Sequence, residues 1–86
     1  MEEEAGVVMT RYFFDLMNGD GQTRDDLGLE LHSREAVMQE ITRILVDVAR
    51  DELPEGYGTE ISVSVRSEEG KPISVASLTF RNRWLD

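Results

Sequence analysis

The side chains able to do chemistry in these 86 residues are few, and they fall in three places. His32 is the lone histidine, and there is no cysteine. Disulfides and Cys-based zinc sites are therefore excluded, and a transition-metal site would need several carboxylates converging on one imidazole. His32 precedes a helix-start signal and reads as a surface or structural residue before it reads as a base or ligand. The second place is acidic: Asp15, Asp20, Asp25 and Asp26 fall near one end of a hairpin. Four carboxylates so placed could surround a hard cation such as calcium or magnesium. The third is basic and aromatic, with Arg81, Arg83 and Trp84 close together at the C-terminal end.

Most catalytic arrangements fail on inspection. If Asn18 and Asp20 occupied the third and fifth positions of an EF-hand loop, Leu16 would be first and Leu27 twelfth, and neither can ligate calcium. Turn chemistry accounts for Asn18-Gly19-Asp20-Gly21 instead. Gly19-x-Gly21 opens no helix and so cradles no phosphate. Glu68-Glu69 and Asp51-Glu52 sit at element ends, without the burial that acid–base work needs. Ser62, Ser64, Ser74 and Ser77 have no histidine placed beside them. The expectation is a protein that is not an enzyme and holds no cofactor or metal.

The elements that position these groups can be read from periodicity. Residues 11–17 read as a strand with Tyr12, Phe14 and Leu16 on one face and Arg11, Phe13, Asp15 and Met17 on the other. Gln22 to Asp25 suggests a short return strand, followed by a turn at Asp26-Leu27-Gly28, after which Leu29 and Leu31 return to the core. Ser33 is a helix N-cap, although Ala36 three residues later leaves the capping box incomplete. The helix should run to about Glu52, with Val37, Ile41, Ile44, Leu45, Val48 and Ala49 as its apolar stripe and Arg43–Asp47 as a surface ion pair. Pro54 and Gly56 should stop it. Residues 60–66 alternate cleanly, with Ile61, Val63 and Val65 on one face. A loop centred on Gly70 leads to a last strand opened by Pro72, where a change of phase suggests a bulge near Val75–Ala76. The fold class expected is α+β in the order β-β-α-β-β, one long helix on a small antiparallel sheet. Residues 1–8 read as a disordered acidic tail and 9–86 as a single domain; Met9 is an alternative start to Met1.

Composition narrows the function classes. A net charge of −9 repels phosphate backbones and anionic membranes, so neither nucleic acid nor membrane is an expected partner. No apolar run approaches the ~18 residues of a membrane span, and Glu2-Glu3-Glu4 is the wrong charge for a signal peptide, which makes a cytoplasmic location the expectation.

Two blocks carry a resemblance. Met9-Thr10-Arg11-Tyr12-Phe13-Phe14-Asp15 and Asp25-x-x-Gly28-x-Glu30-Leu31 resemble the opening of a bacterial family of short proteins known only as a domain of unknown function. That family has an Ala-rich helix and a C-terminal hairpin with a segment similar to Ala76-Ser77-Leu78-Thr79-Phe80. The helix here is richer in β-branched residues. The resemblance implies no activity, cofactor or site residue. Ser33-Arg34-Glu35-Ala36, a helix start after paired strands, is also similar to antitoxins of the HicB type, whose partners are small basic toxins. The function expected is a protein-interaction or regulatory module that binds a partner or pairs with itself. Its surface would draw on Phe13, Met17, Arg81, Arg83 and Trp84, with Trp84 otherwise closing the core over the helix end.

Overall fold

A computed structural model describes residues 8–19, 21–52 and 58–86. The elements are β1 (Thr10–Asn18), β2 (Gly21–Thr23), β3 (Leu29–Leu31), α1 (Arg34–Glu52), β4 (Gly58–Arg66) and β5 (Pro72–Arg81). This is the expected α+β layer pair, with one correction: three strands, not two, precede the helix. The order β-β-α-β-β missed β3, although Leu29 and Leu31 were read as returning to the core. What makes it a strand is its pairing with the start of β1, Thr10 opposite Leu31 and Tyr12 opposite Leu29. No local period can show such a pairing.

All pairings are antiparallel, and the sheet runs β2-β1-β4-β5, with β3 also bonded to β1. β2 pairs with the end of β1 from Leu16 to Asn18, and β3 with its beginning from Thr10 to Tyr12. The outer neighbour of β1 is therefore split in two, and the chain between the halves, residues 24–28, loops away from the middle of the strand. On its other side β1 pairs with β4 from Phe13–Arg66 to Met17–Ser62.

The alternation in β4 is realised in full. Ile61, Val63 and Val65 are wholly buried and meet Phe14 of β1 and Val37, Ile41 and Leu45 of α1. Tyr12, Leu16, Leu31, Ile44, Val48 and Ala49 flank this core half-buried, while Leu29 stays largely exposed. The Ser33 hydroxyl accepts the Ala36 N–H at 3.0 Å, so the cap forms without the reciprocal half of a capping box. Arg43 bridges Asp47 at 3.1 Å, as the spacing predicts, and also Glu40 at 2.6 Å. The helix stop at Pro54 and Gly56 and the tail up to Val7 lie outside the described residues.

The bulge falls earlier than expected. The register shifts between Val65 and Arg66, which face Ser74 and Pro72, so Ile73 is the extra residue. From Ser74 onward the register is constant to Arg81. The phase change read near Val75–Ala76 is thus absorbed at Ile73, and Val75 simply points away from the helix, 71% exposed. Pro72 opens β5 and Gly70 takes φ +84° in the preceding turn, both as expected. Among the described residues no helix is long and apolar enough to cross a membrane.

Candidate functional site

The densest polar arrangement among the described residues fills the gap left by the split neighbour of β1. Where β2 and β3 part, the Phe14 N–H has no strand to bond, and the Asp25 carboxylate accepts it at 3.0 Å through Oδ2. The other oxygen, Oδ1, accepts the N–H groups of Leu27 at 3.0 Å and Gly28 at 3.1 Å, folding residues 25–28 into an Asx turn. In return the Asp25 N–H donates to Oδ1 of Asp15 at 2.9 Å. Arg66, across the sheet on β4, closes the circuit. Its Nε donates to Asp15 Oδ2 at 2.8 Å, and its Nη2 reaches both Asp15 Oδ1 at 3.3 Å and the Asp25 carbonyl at 2.7 Å.

These bonds decide the protonation states. The Arg66 guanidinium holds the Asp15 carboxyl below the usual carboxylate range, outweighing burial, and the Asp25 N–H adds to the effect. Burial alone pushes Asp25 up, but the N–H groups of Phe14, Gly28 and Leu27 outweigh it and leave that carboxyl lowered too. The arginine is raised in turn, chiefly by its bond to Asp15. With side chains only 13% and 10% exposed, Arg66 and Asp15 make the best-shielded ion pair of the described residues. The Arg66 guanidinium also lies 4.8 Å over the centre of the Phe13 ring, covering a face that would otherwise be open.

The same brace continues along the strand. Arg11 pairs with Glu30 at 3.0 Å and donates to the Leu27 carbonyl at 2.8 Å. Gly28 sits beneath, with φ +73°; a Cβ there would lie 2.8 Å from Arg11 Cγ, 2.9 Å from Phe13 Cε2 and 3.0 Å from the Tyr12 carbonyl oxygen. Only glycine fits. The two sequence blocks that carried the family resemblance are thus two sides of one contact. Arg11, Phe13 and Asp15 face Asp25, Gly28 and Glu30.

The geometry leaves little for a cation. Asp15 and Asp25 come together as expected, but their oxygens are filled by N–H donors. Asp26 is exposed and pairs with Arg24 at 3.6 Å, and Asp20 lies outside the described residues. Among the described residues no three acidic, histidine or cysteine side chains converge as a metal site would require. His32 is exposed, just outside the helix cap.

The residues expected to form a binding surface do not share one patch. Phe13 is half-buried under Arg66 at one end of β4, opposite which Arg81 faces Gly58 at the other end. Eight residue steps separate those ends, roughly 27 Å in an antiparallel strand. Met17, half-exposed, sits between them across from Ser62. Trp84 does not close the core: it is 76% exposed beside Leu85 at 84%. With α1 lying over β4, the core is complete without it.

What sequence reasoning did not show is that β5 is an exposed apolar edge. It is the last strand of the sheet, its outer edge unpaired among the described residues, and Ile73, Val75, Leu78 and Phe80 are all exposed along it. Alongside it, Tyr12, Val37 and Met38 join Ile73 and Ser74 in lining a small apolar groove, about 170 Å³, with Arg34 at its rim. The signal was present as an uncharged run from Pro72 to Phe80, but only the sheet order shows that it is an edge. Comparison with curated proteins finds no match, and comparison with solved structures finds none. A family model described as a domain of unknown function (DUF6894) matches residues 11–79, and the chain belongs to that family.

Proposed function

We propose that this chain is a non-enzymatic protein-interaction or regulatory module. The observation that carries this reading is the line of exposed apolar side chains on β5, continued by Trp84 and Leu85. An exposed edge strand with apolar neighbours is what a small domain presents when another chain completes it. The interior polar groups support the reading as well, since Asp15, Asp25 and Arg66 are engaged with one another and with the backbone. A HicB-like antitoxin role is the special case in which the partner is a small basic toxin. Cation binding through Asp15, Asp20, Asp25 and Asp26 would have to displace the N–H donors already on Asp15 and Asp25. A melting temperature unmoved by millimolar calcium, magnesium or manganese would remove it.

The test is affinity capture from the native lysate by the tagged protein, with Trp84→Ala as the comparison. One stoichiometric protein, lost or weakened in the variant, is the expected result. Recovery of the bait alone, as a monomer, would sink the proposal.

A further inference from the structure

The cations of this acidic chain are distributed unevenly, and their distribution says what β5 would accept. Of nine lysines and arginines, Arg11, Arg24, Arg43, Arg50 and Arg66 each make an ion pair. The remaining four, Arg34, Lys71, Arg81 and Arg83, are exposed and make none among the described residues. All four belong to the β5 side of the molecule. Lys71 immediately precedes the strand, and Arg34 shares a groove with Ile73 and Ser74 at that end. Arg81 closes the strand, and Arg83 follows it and lies by Arg81. Between the two pairs runs the uncharged stretch from Pro72 to Phe80, eight residue steps or roughly 27 Å.

We infer that β5 is a docking edge for an extended segment of another protein, one with acidic residues at both ends and apolar residues at alternate positions between them. The inference rests on the interaction-module reading and specifies its partner. An added strand takes its affinity from main-chain bonds and its specificity from pockets for alternate side chains. The groove lined by Tyr12, Val37, Met38 and Ile73 lies under α1 near the start of β5, and its volume suits one such side chain. Charge selects this occupant over a second copy of the chain. Antiparallel pairing of β5 with itself brings Lys71 towards Arg81 of the other copy, like against like, between two bodies of net charge −9. Nucleic acid fits less well, because its phosphates run the whole length of a strand and the middle of β5 offers them no cation.

The test uses the full chain and a fluorescent peptide alternating valine and threonine with two glutamates at each end, compared with the same peptide ended in lysines. Saturable binding of the glutamate-ended peptide is expected, with amide NMR shifts concentrated on β5. The lysine-ended peptide, or a Lys71→Glu, Arg81→Glu, Arg83→Glu triple variant, should bind about tenfold more weakly or worse. If the triple variant fails to fold, the two peptides on the unaltered protein still decide the matter. Equal binding of both peptides would overturn the inference, as would shifts confined to another surface. So would a dimer in sedimentation whose β5 amides are protected without peptide, or a single-stranded oligonucleotide that displaces the peptide. A lysate partner that needs Trp84 but ignores the triple charge reversal would leave the module reading standing and remove this one.

Discussion

Replacing Gly28 by alanine should be among the most damaging single-methyl additions this chain can receive. Two costs add. At φ +73° an L-residue with a Cβ loses about 1–2 kcal/mol relative to glycine. The new Cβ would also stand 2.8 Å from Arg11 Cγ, 2.9 Å from Phe13 Cε2 and 3.0 Å from the Tyr12 carbonyl oxygen. The Arg11 stem can swing aside. The Tyr12 carbonyl is fixed in β1, and the Phe13 ring is held beneath Arg66, so the loop itself must lift, at about 1–3 kcal/mol for overpacking. The sum is roughly 2–5 kcal/mol. Gly70 supplies an internal reference: its φ is +84°, yet nothing lies within 4 Å of the Cβ position. Gly70→Ala should therefore cost only the conformational part, about 1–2 kcal/mol. Urea unfolding of both variants followed by circular dichroism measures the difference, expected to be about 1–3 kcal/mol, or roughly 4–20 °C in melting temperature for a chain of this size. Equal destabilisation of the two variants would refute the claim that residues 25–28 press against β1.

The brace makes two further predictions testable, and the helix cap a third. Asp25→Asn keeps one acceptor oxygen of two, so either Phe14 or the Leu27–Gly28 pair loses its carboxylate; the expected loss is about 1.5–3 kcal/mol by urea unfolding. Both Asp15 and Asp25 titrate below the ordinary carboxyl value of 3.8, so their stabilisation is complete above that pH and is lost as the pH falls through the lowered folded values. Asp15→Asn, which strands a poorly exposed guanidinium, should cost about 2–4 kcal/mol at neutral pH. That gap to the unaltered protein should narrow as the pH falls below 3.8, and a gap constant with pH would mean that ionisation of Asp15 is irrelevant. Ser33→Ala should remove about 1 kcal/mol by leaving the Ala36 N–H to water, with helicity at the first turn the part lost in hydrogen exchange.

Much of the fold was legible because it is local. The helix stripe from Val37 to Ala49 and the alternation from Ile61 to Val65 each repeat within one element, and each is realised. What escaped depends on residues far apart in the chain. Arg66 looked like one more polar residue on the outer face of β4; only the β1–β4 register sets it beside Asp15, 51 positions away. Asp25 was singled out, but as a cation ligand, since a carboxylate satisfied by backbone N–H groups and one that awaits a metal look the same in sequence. Trp84 was read as an interface residue or as a lid on the core over the helix end; the structure leaves it exposed and so removes the second reading.

The split neighbour of β1 bears on stoichiometry. On that side the sheet offers another chain two edges of three residues each, separated by a loop whose carboxylate already occupies the middle of β1. Lateral growth has nowhere to take hold there. Among the described residues only the β5 side offers a full-length edge, so a strand added there would extend this sheet once, with no matching edge on the opposite side. If β5 takes up a strand as proposed, the complex would be of fixed size, because addition could not run on from the other flank into a fibre.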